Sequence, residues 1–180
     1  MHLGLEPLVK QELNKLISAH IIFLVIHCKW MAIRVLVRKN NGEIRLWIDF
    51  KNLNKALEKE NYHVPPMEKI LKKVSGSKIF SLLDGFSGYN QILVTHNDQL
   101  STTFCTPWGT YAYRKMPFGL INVGATFQRA MDIACKGLIN DCGVVYLDDV
   151  TVYSKNRSYH VKHLQQIFEL CRKYGISLNP

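Results

Sequence analysis

The sequence predicts an α+β fold, in which helices and mainly antiparallel strands are mixed without a regular βα repeat. A mostly apolar run at residues 78–84 is typical of a strand and ends in an aspartate. Residues 142–153 predict a strand, a tight turn and a second strand, with two adjacent aspartates at the turn. The full order is helix, hairpin, helix, strand, further strands, helix, hairpin and helix, which does not suit a doubly wound sheet.

The chain is basic and has the size of one domain. Its 180 residues are enough to bury a core, and 23 Lys and Arg against 14 Asp and Glu give a formal net charge of +9. This excess favours a polyanionic partner, although an ordinary basic surface explains it equally well. Residues 21–26, the most apolar run, are too short to span a bilayer and predict a buried strand. We find no secretion or membrane signal and expect an intracellular location, in a cytoplasmic particle or the nucleus.

The five cysteines predict reduced thiols rather than disulfides or a zinc site. No two of them form a C-x-x-C pair, and their spacing is irregular. They are Cys28, Cys105, Cys135, Cys142 and Cys171. His160 and His163 precede Cys171 without a compact ligand pattern, so we expect this segment to be the solvent edge of a helix.

The N-terminal part predicts a helix followed by a β-hairpin. Apolar residues recur at helical spacing over residues 6–19. Strands at 33–38 and 43–48 flank a turn that contains Asn-Gly, a strong hairpin signal. Alternation predicts one apolar face from Ile33, Val35 and Val37 and another from Ile44, Leu46 and Ile48. Basic residues near the tip could close on a triphosphate, and a solvated surface hairpin is an equal alternative.

The middle of the chain predicts a polar stretch, a short helix and several strands. Residues 52–62 are polar and turn-rich. A helix begins after Pro65-Pro66, with an apolar stripe of Met67, Ile70, Leu71 and Val74. The apolar run that follows predicts a strand buried on both faces, with Asp84 at its end. Further strands are expected at residues 92–94, 102–104 and 110–114, followed by a loop at 116–120.

The C-terminal part predicts a helix, the aspartate hairpin and a last helix. The first helix spans about residues 125–138, with Gln128 and Arg129 as candidates for substrate contact. The last spans about residues 159–174, and Gly175 suits its C-terminal cap. Its inward face is predicted to consist of Val161, Leu164, Phe168 and Cys171.

The aspartates predict a site for divalent cations. Along the hairpin, Tyr146 and Asp148 are expected on one face and Leu147 on the other. Two like charges on an apolar ribbon are costly unless a cation neutralises them, and an oxygen-only site suits Mg²⁺. If the strand that ends at Asp84 lies beside this hairpin, the carboxylates can hold two ions about 4 Å apart for phosphoryl transfer. An Asp-Asp pair by itself is more often a solvated turn.

Five motifs occur in order along the chain. They are residues 48–54 (IDFKNLN), 83–89 (LDGFSGY), 116–120 (MPFGL), 125–129 (ATFQR) and 146–149 (YLDD). Together they resemble the reverse transcriptase of gypsy-type LTR retrotransposons, over about residues 8–180.

The resemblance implies the fingers and palm of a right-hand polymerase, in a single partial domain. An antiparallel palm sheet would carry the YLDD hairpin and pack on helices. The fingers would comprise about residues 1–60 and 92–122, and the palm about 61–91 and 123–180. The thumb, connection and RNase H regions of a longer polyprotein are expected to be absent from these 180 residues.

The resemblance also implies roles for individual residues. The catalytic residues, which are also the ligands of two Mg²⁺ ions that Mn²⁺ can replace, would be Asp84, Asp148 and Asp149. Tyr146 and Leu147 would support the hairpin. The nucleotide-binding set would be Arg38, Lys39, Arg45, Gly85, Gly88, Tyr89, Phe118 and Gln128.

Within the implied nucleotide site, Arg45 and either Arg38 or Lys39 would bind the phosphates. Tyr89 would act as a steric gate against a ribose 2′-hydroxyl, and Phe118 would face the base or sugar. The implied partners are an RNA or DNA template with a DNA primer and deoxynucleoside triphosphates. No membrane partner is expected.

Two segments depart from the family pattern. Residues 24–33 replace the family's polar, proline-containing loop, and His63-Val64 replaces its usual Pro-Leu.

Two alternative functions compete with polymerisation. The first alternative is a catalytically inactive nucleic-acid-binding remnant with the same fold and basic surface. The second is a metal-dependent phosphohydrolase that uses the same aspartates without a template. An RNA-directed DNA polymerase from a retrotransposon polyprotein ranks first.

Overall fold

The computed structural model describes residues 6–38, 44–85, 88–138 and 141–179. The helices are α1 Glu6–Ser18, α2 Lys51–Ala56, α3 Met67–Val74, α4 His96–Gln99, α5 Val123–Ala134 and α6 Arg157–Tyr174. The strands are β1 Ile22–Val25, β2 Ile33–Arg38, β3 Ile44–Asp49, β4 Ile79–Asp84, β5 Phe104–Thr106, β6 Gly109–Tyr113, β7 Gly143–Tyr146 and β8 Asp149–Ser154.

The chain divides into two compact units. One consists of Met1–Lys59 and Ile92–Val123, and the other of Glu60–Gln91 and Gly124–Pro180. These limits differ by no more than one residue from the boundaries that the sequence predicts for fingers and palm. The mixture of helices with antiparallel sheets confirms the α+β prediction.

The first unit contains a three-stranded antiparallel sheet and a two-stranded antiparallel ribbon. In the sheet β6 lies between β1 and β5, and the ribbon pairs β2 with β3. Helix α1 buries Val9 and Leu13, which are four residues apart and therefore share one face of the helix. The core consists of these two residues with Ile22, Ile48, Phe50, Leu53, Phe104, Tyr111 and Tyr113.

The ribbon packs on this core through one face only. The register places Val35 opposite Trp47, so the apolar residues that alternate along β2 and β3 fall on different faces. The face with Ile48 is buried, whereas Ile33 is 74% exposed. The run that contains β1 is likewise not fully buried, since Leu24 is 64% exposed.

Three local predictions for the first unit are wrong. The start of the polar stretch forms α2, because Leu53 is buried in the core and anchors the helix. Residues 92–94 form a single bridge, between Leu93 and Lys115, rather than a strand. Strand β5 begins only at Phe104, because a 3₁₀ turn precedes it; there the Thr102 hydroxyl accepts a hydrogen bond from the Tyr113 amide.

The second unit is a three-stranded antiparallel sheet, in the order β4-β8-β7, covered by helices. Ile70 of α3 packs with Val144 and Tyr153 in one core cluster. Strand β4 has only β8 as a neighbour in the sheet, and Leu82 on its outer face is 81% exposed. The prediction that this strand is buried on both faces is therefore wrong, because β4 is an edge strand.

The inward face of helix α6 is only partly the predicted one. Cys171 is buried as predicted and Leu164 is half-buried, but Val161 and Phe168 are exposed, and His160 and Ile167 are buried in their place. The expectation that the histidine segment is a solvent edge is therefore wrong for His160, whose ring nitrogens contact the half-buried Ser81 and the buried Ser154. The predicted C-terminal cap is confirmed, since Gly175 has a φ of +67°. The helix begins two residues earlier than predicted, at Arg157, where the Asn156 side chain accepts a hydrogen bond from the Ser158 amide.

None of the helices within the described ranges has the combination of length and apolar character that crossing a bilayer requires.

Truncating Ile167 should destabilise the second unit. Ile167→Ala should lower the free energy of unfolding by about 2–5 kcal/mol, because a fully buried side chain leaves a cavity. Phe168→Ala is a matched control on the same helix, and its loss should be clearly smaller than that of Ile167→Ala because the ring is 43% exposed. Urea denaturation followed by circular dichroism measures both. A larger loss for Phe168→Ala would show that α6 packs through the face predicted from sequence.

Candidate active site

Asp84 and Asp149 lie directly opposite each other on neighbouring strands. Asp84 ends β4, Asp149 begins β8, and the antiparallel register pairs them. Residues paired in this way have Cα atoms roughly 4.5–5.5 Å apart and project from the same face of the sheet. Asp148 precedes Asp149 in the turn, and its carbonyl accepts a 3.0 Å hydrogen bond from the Gly85 amide. The structure thus brings the three predicted carboxylates to one end of the sheet.

The turn that carries Asp148 is strained at Leu147. Tyr146 pairs with Asp149, which leaves Leu147 and Asp148 as the two turn residues. Leu147 has a φ of +54°, a left-handed conformation that costs an ordinary side chain roughly 1–2 kcal/mol. Glycine is usual at the first central position when a two-residue turn has positive φ there. The strained residue immediately precedes the aspartate pair, where such conformations often have a functional cause.

Gln128 on α5 holds this turn. Its Oε1 accepts a 2.8 Å hydrogen bond from the Leu147 amide, and its Nε2 donates to the Val145 carbonyl at 3.2 Å. Nε2 also donates to Asp132 Oδ1 at 3.0 Å. The side chain is 0% exposed. This position corrects the prediction that Gln128 contacts the nucleotide: the amide is used to satisfy backbone groups of the hairpin.

Gly85 and Gly88 allow the backbone to approach Asp148 closely. A Cβ added to Gly88 would lie 3.0 Å from Asp148 Cβ, and one added to Gly85 would lie 3.2 Å from the Asp148 carbonyl oxygen. Any larger residue at position 88 must therefore displace the Asp148 side chain. The geometry assigns these glycines to the shape of the site, and their contact with a nucleotide stays a prediction.

Tyr89 lies beside the carboxylates. Its ring packs edge-to-face on Phe127, with centroids 5.3 Å apart and an interplanar angle of 83°. Partial burial raises the pKa of Tyr89, and the negative charges of Asp148 and Asp149 raise it further. Its proposed action as a steric gate stays a prediction.

The carboxylates repel one another. The pKa of Asp149 is raised, first by partial loss of hydration and then by the charges of Asp148 and Asp84. Asp84 Oδ2 is 3.4 Å from the Asn179 side-chain amide, a weak contact for an anion. Among the residues that the structure describes, no lysine or arginine forms an ion pair with any of the three aspartates. Within the described part of the chain, the negative charges of this cluster therefore have no ion-pair partner.

This donor set fits Mg²⁺ or Mn²⁺, although it is an open arrangement. Within the described residues, no three His, Cys, Asp or Glu side chains already converge tightly enough to form a metal-binding group. Mg²⁺ does not need such a cage, because it keeps several waters and takes one or two carboxylates plus substrate phosphates. The three neighbouring carboxylates and the raised pKa of Asp149 support a binding site for a divalent cation.

Phe118, the predicted base or sugar contact, belongs to the first unit. It is exposed and precedes Gly119, whose φ of +96° favours glycine. Asn54 fixes this loop from both sides. Its Nδ2 donates to the Gly119 carbonyl at 2.7 Å, and its Oδ1 accepts from the Ile121 amide at 2.9 Å. No role for Asn54 was predicted, although it ends the 48–54 motif. Its contact with the 116–120 loop depends on tertiary structure.

The predicted phosphate-binding residues also belong to the first unit. Arg38 ends β2, Arg45 lies in β3, and Lys39 lies outside the described residues. Their roles stay predictions.

The raised pKa of Asp149 predicts how stability depends on pH. A proton binds this carboxyl more tightly in the folded state, so stability is lost as the pH rises through the raised pKa. Asp149→Asn should therefore raise the free energy of unfolding at pH 7 in the absence of divalent ions. The gain should vanish near about pH 3, where the carboxyl is protonated in both states. Urea denaturation at several pH values measures it, and a loss of stability at pH 7 would contradict the repulsion.

Removing the Gln128 amide should loosen the turn. Gln128→Leu leaves the Leu147 amide and the Val145 carbonyl without a partner, which should cost about 1–3 kcal/mol of stability. Amide exchange at Leu147, followed by NMR, should become faster. Ile133→Ala is the control, since this side chain is exposed on the same helix. Unchanged exchange at Leu147 in Gln128→Leu would show that the turn holds itself.

Proteins of one known family are similar to this chain in sequence and in fold. The family described as "Reverse transcriptase (RNA-dependent DNA polymerase)" matches residues 37–180. The enzymatic polyprotein of Cauliflower mosaic virus (strain Strasbourg) is 36% identical over 141 residues, 78% of this chain and 21% of the polyprotein. The Pol polyprotein from transposon gypsy of Drosophila melanogaster is 37% identical over 129 residues, 72% of this chain and 12% of the polyprotein.

A solved structure gives the same answer for the fold. The foamy viral protease-reverse transcriptase in complex with RNA/DNA hybrid superposes with a TM-score of 0.88 at 20% identity, covering 99% of this chain and 24% of that one. The fold is therefore that of the corresponding part of a reverse transcriptase, which confirms the predicted fingers-and-palm architecture. The chain spans about a fifth or less of the length of the two polyproteins. With the family match over residues 37–180 and the gypsy-type resemblance confirmed, this chain belongs to the reverse transcriptase (RNA-dependent DNA polymerase) family.

Proposed function

We propose that this chain carries the nucleotidyl-transfer site of an RNA-directed DNA polymerase. The reaction is template-directed transfer of a deoxynucleotide to a primer 3′-hydroxyl, with release of pyrophosphate. The observation that carries the proposal is the pairing of Asp84 with Asp149 across β4 and β8, with Asp148 in the adjoining turn. Family membership makes polymerisation the leading use of such a site.

Three carboxylates would hold the divalent ions. Asp84 and Asp148 are the proposed ligands of both Mg²⁺ ions, with Asp149 as a supporting carboxylate. When bound, such ions lower the pKa of the attacking hydroxyl and neutralise charge on the triphosphate. The chain's own contribution is to place the carboxylates at one end of the sheet, where partial loss of hydration and their mutual charges raise the pKa of Asp149.

The hairpin supplies rigidity at the reacting end. Gln128 fixes the Leu147 amide, and Gly88 leaves room for the Asp148 side chain. A shift of about 1 Å in a positioning group can cost 10²-fold in rate, so a fixed turn is valuable here. Tyr89 is the proposed gate against a 2′-hydroxyl, and its ring is already held against Phe127.

The remaining nucleotide contacts are proposals from the family resemblance. Phe118 would face the base or sugar, and Arg45 with Arg38 or Lys39 would neutralise charge on the transferred phosphate. The formal net charge of +9 suits binding to template and primer through their phosphates. The foamy viral relative was solved with an RNA/DNA hybrid, which supports the same class of partner for this chain.

Primer extension tests the proposal. The purified chain should extend a DNA primer on an RNA template with deoxynucleotides and Mg²⁺, at low salt because phosphate contacts weaken as salt rises. Asp84→Asn and Asp148→Asn should each lower the rate by about 100-fold or more, because each removes a proposed ligand. Asp141→Asn, at an exposed acid close to β7, should leave the rate unchanged.

Other outcomes of this assay would favour the competing functions. Extension that survives Asp148→Asn would contradict the assignment of the site. Salt-sensitive binding of the RNA–DNA duplex with no extension by the wild type would favour a non-catalytic nucleic-acid-binding protein. Cleavage of nucleotides without a template, abolished by the same substitutions, would favour a phosphohydrolase.

A further inference from the structure

A network of two serines and two histidines, centred on the buried His160 and Ser154, joins α6 to both strands that carry the aspartates. His160 Nε2 is 2.9 Å from Ser81 Oγ on β4, and His160 Nδ1 is 2.9 Å from Ser154 Oγ on β8. His163 Nδ1 is 2.7 Å from the same Ser154 oxygen. His160 is 4% exposed and Ser154 2%. One imidazole therefore bonds two neighbouring strands at once.

Proton counting allows two arrangements of this network when both rings are neutral. The Ser154 hydroxyl has one proton and contacts two ring nitrogens, so it donates to one Nδ1 and accepts from the other. The choice at Ser154 sets the tautomer of His160, and this in turn decides whether Ser81 donates or accepts. Such fully satisfied buried networks specify one packing arrangement, because each rearrangement leaves a buried polar atom without a partner.

Strand β4 is one of the two edge strands of the sheet, and among the described strands it pairs only with β8. At its end the Asn179 amide also donates a 2.8 Å hydrogen bond to the Asp84 carbonyl. On its outer face Phe80 and Leu82 are exposed, so this face adds little packing energy. Side chains alternate along a strand, which places Ser81 on the opposite face from Asp84, towards α6.

The register of β4 on β8 decides where Asp84 lies. A slip of one residue would move every side chain of β4 to the other face and take Asp84 away from Asp149. Ser81 is three residues before Asp84, and Ser154 ends the strand that Asp149 begins. Because His160 holds Ser81 and Ser154 in one fixed geometry, a slipped register would break at least one of its two hydrogen bonds.

We propose that His160 is a positioning residue of the active site: by bonding Ser81 and Ser154 together it holds β4 in the register that places Asp84 opposite Asp149. The inference rests on the proposed function, in which these aspartates bind divalent ions. A merely structural histidine would contribute to stability without a specific effect on β4 or on ion binding. The two roles therefore predict different responses to substitution.

Substitutions at His160 separate the two halves of the bridge. Asparagine can reproduce a bond at Nδ1 and glutamine a bond at Nε2, but neither amide reaches both serines. His160→Asn, His160→Gln and Ser81→Ala should each speed amide exchange along β4, measured by NMR. Each should also weaken Mn²⁺ binding, measured by electron paramagnetic resonance without nucleic acid, by about tenfold. If one variant fails to fold, the other two still carry the test.

Two controls address stability and helix position. Val161→Ala changes an exposed side chain next to His160 on the same helix, and it should leave Mn²⁺ affinity within about twofold. Ile167→Ala destabilises α6 without touching either serine, and at temperatures where it remains folded it too should bind Mn²⁺ normally. Wild-type Mn²⁺ affinity and wild-type β4 exchange in all three bridge variants would overturn this inference alone. Failure of the wild type itself to bind Mn²⁺ would overturn the proposed metal site and this inference with it.

Discussion

The antiparallel pairing of β4 with β8 is the constraint on which the rest of the second unit depends. It places the last residue of one strand, Asp84, opposite the first residue of the other, Asp149. Carboxylates that are more than sixty positions apart in the sequence thereby share one end of a sheet. Partial loss of hydration, and then the charges of Asp148 and Asp84, raise the pKa of Asp149, so the fold accepts an electrostatic cost at this point. A divalent cation is the natural partner for that charge.

The backbone around the aspartate pair is strained at one residue and closely packed at another. Leu147 adopts a left-handed conformation, and the absence of a Cβ at Gly88 leaves space for the Asp148 side chain. Gln128 is fully buried and uses its amide on the backbone of the turn. Polar groups committed in this way make a rigid hairpin tip, which suits chemistry that depends on fixed positions.

Much of this could be predicted from the sequence, because the signals are local. The strand–turn–strand pattern around the aspartate pair, the N-terminal helix and the cap at Gly175 all follow from residue type and spacing. The motifs also identified the family, and the structure brought Asp84, Asp148 and Asp149 together. These features do not depend on knowing which elements become neighbours.

The errors arose where tertiary neighbours decide. The apolar β4 lies at a sheet edge with Leu82 exposed, and nothing in its composition shows how many neighbours it has. The face of α6 was partly misassigned because His160 counts as polar by composition, yet serines of the two neighbouring strands β4 and β8 contact both of its ring nitrogens. Gln128 was predicted to contact the substrate because its tertiary partners were likewise unknown. Its partners are backbone groups of a strained turn, which the sequence does not reveal.

The central claim is that three aspartates form one divalent-ion site, and carboxyl-carbon NMR during a Mg²⁺ titration tests it most directly. The account predicts that the side-chain carboxyl resonances of Asp84, Asp148 and Asp149 move together, with one dissociation constant or one pair of constants, while that of Asp141 stays fixed. Movement of Asp148 and Asp149 without Asp84 would contradict the account, because the strand pairing would then hold two carboxylates close without using them for a common cation.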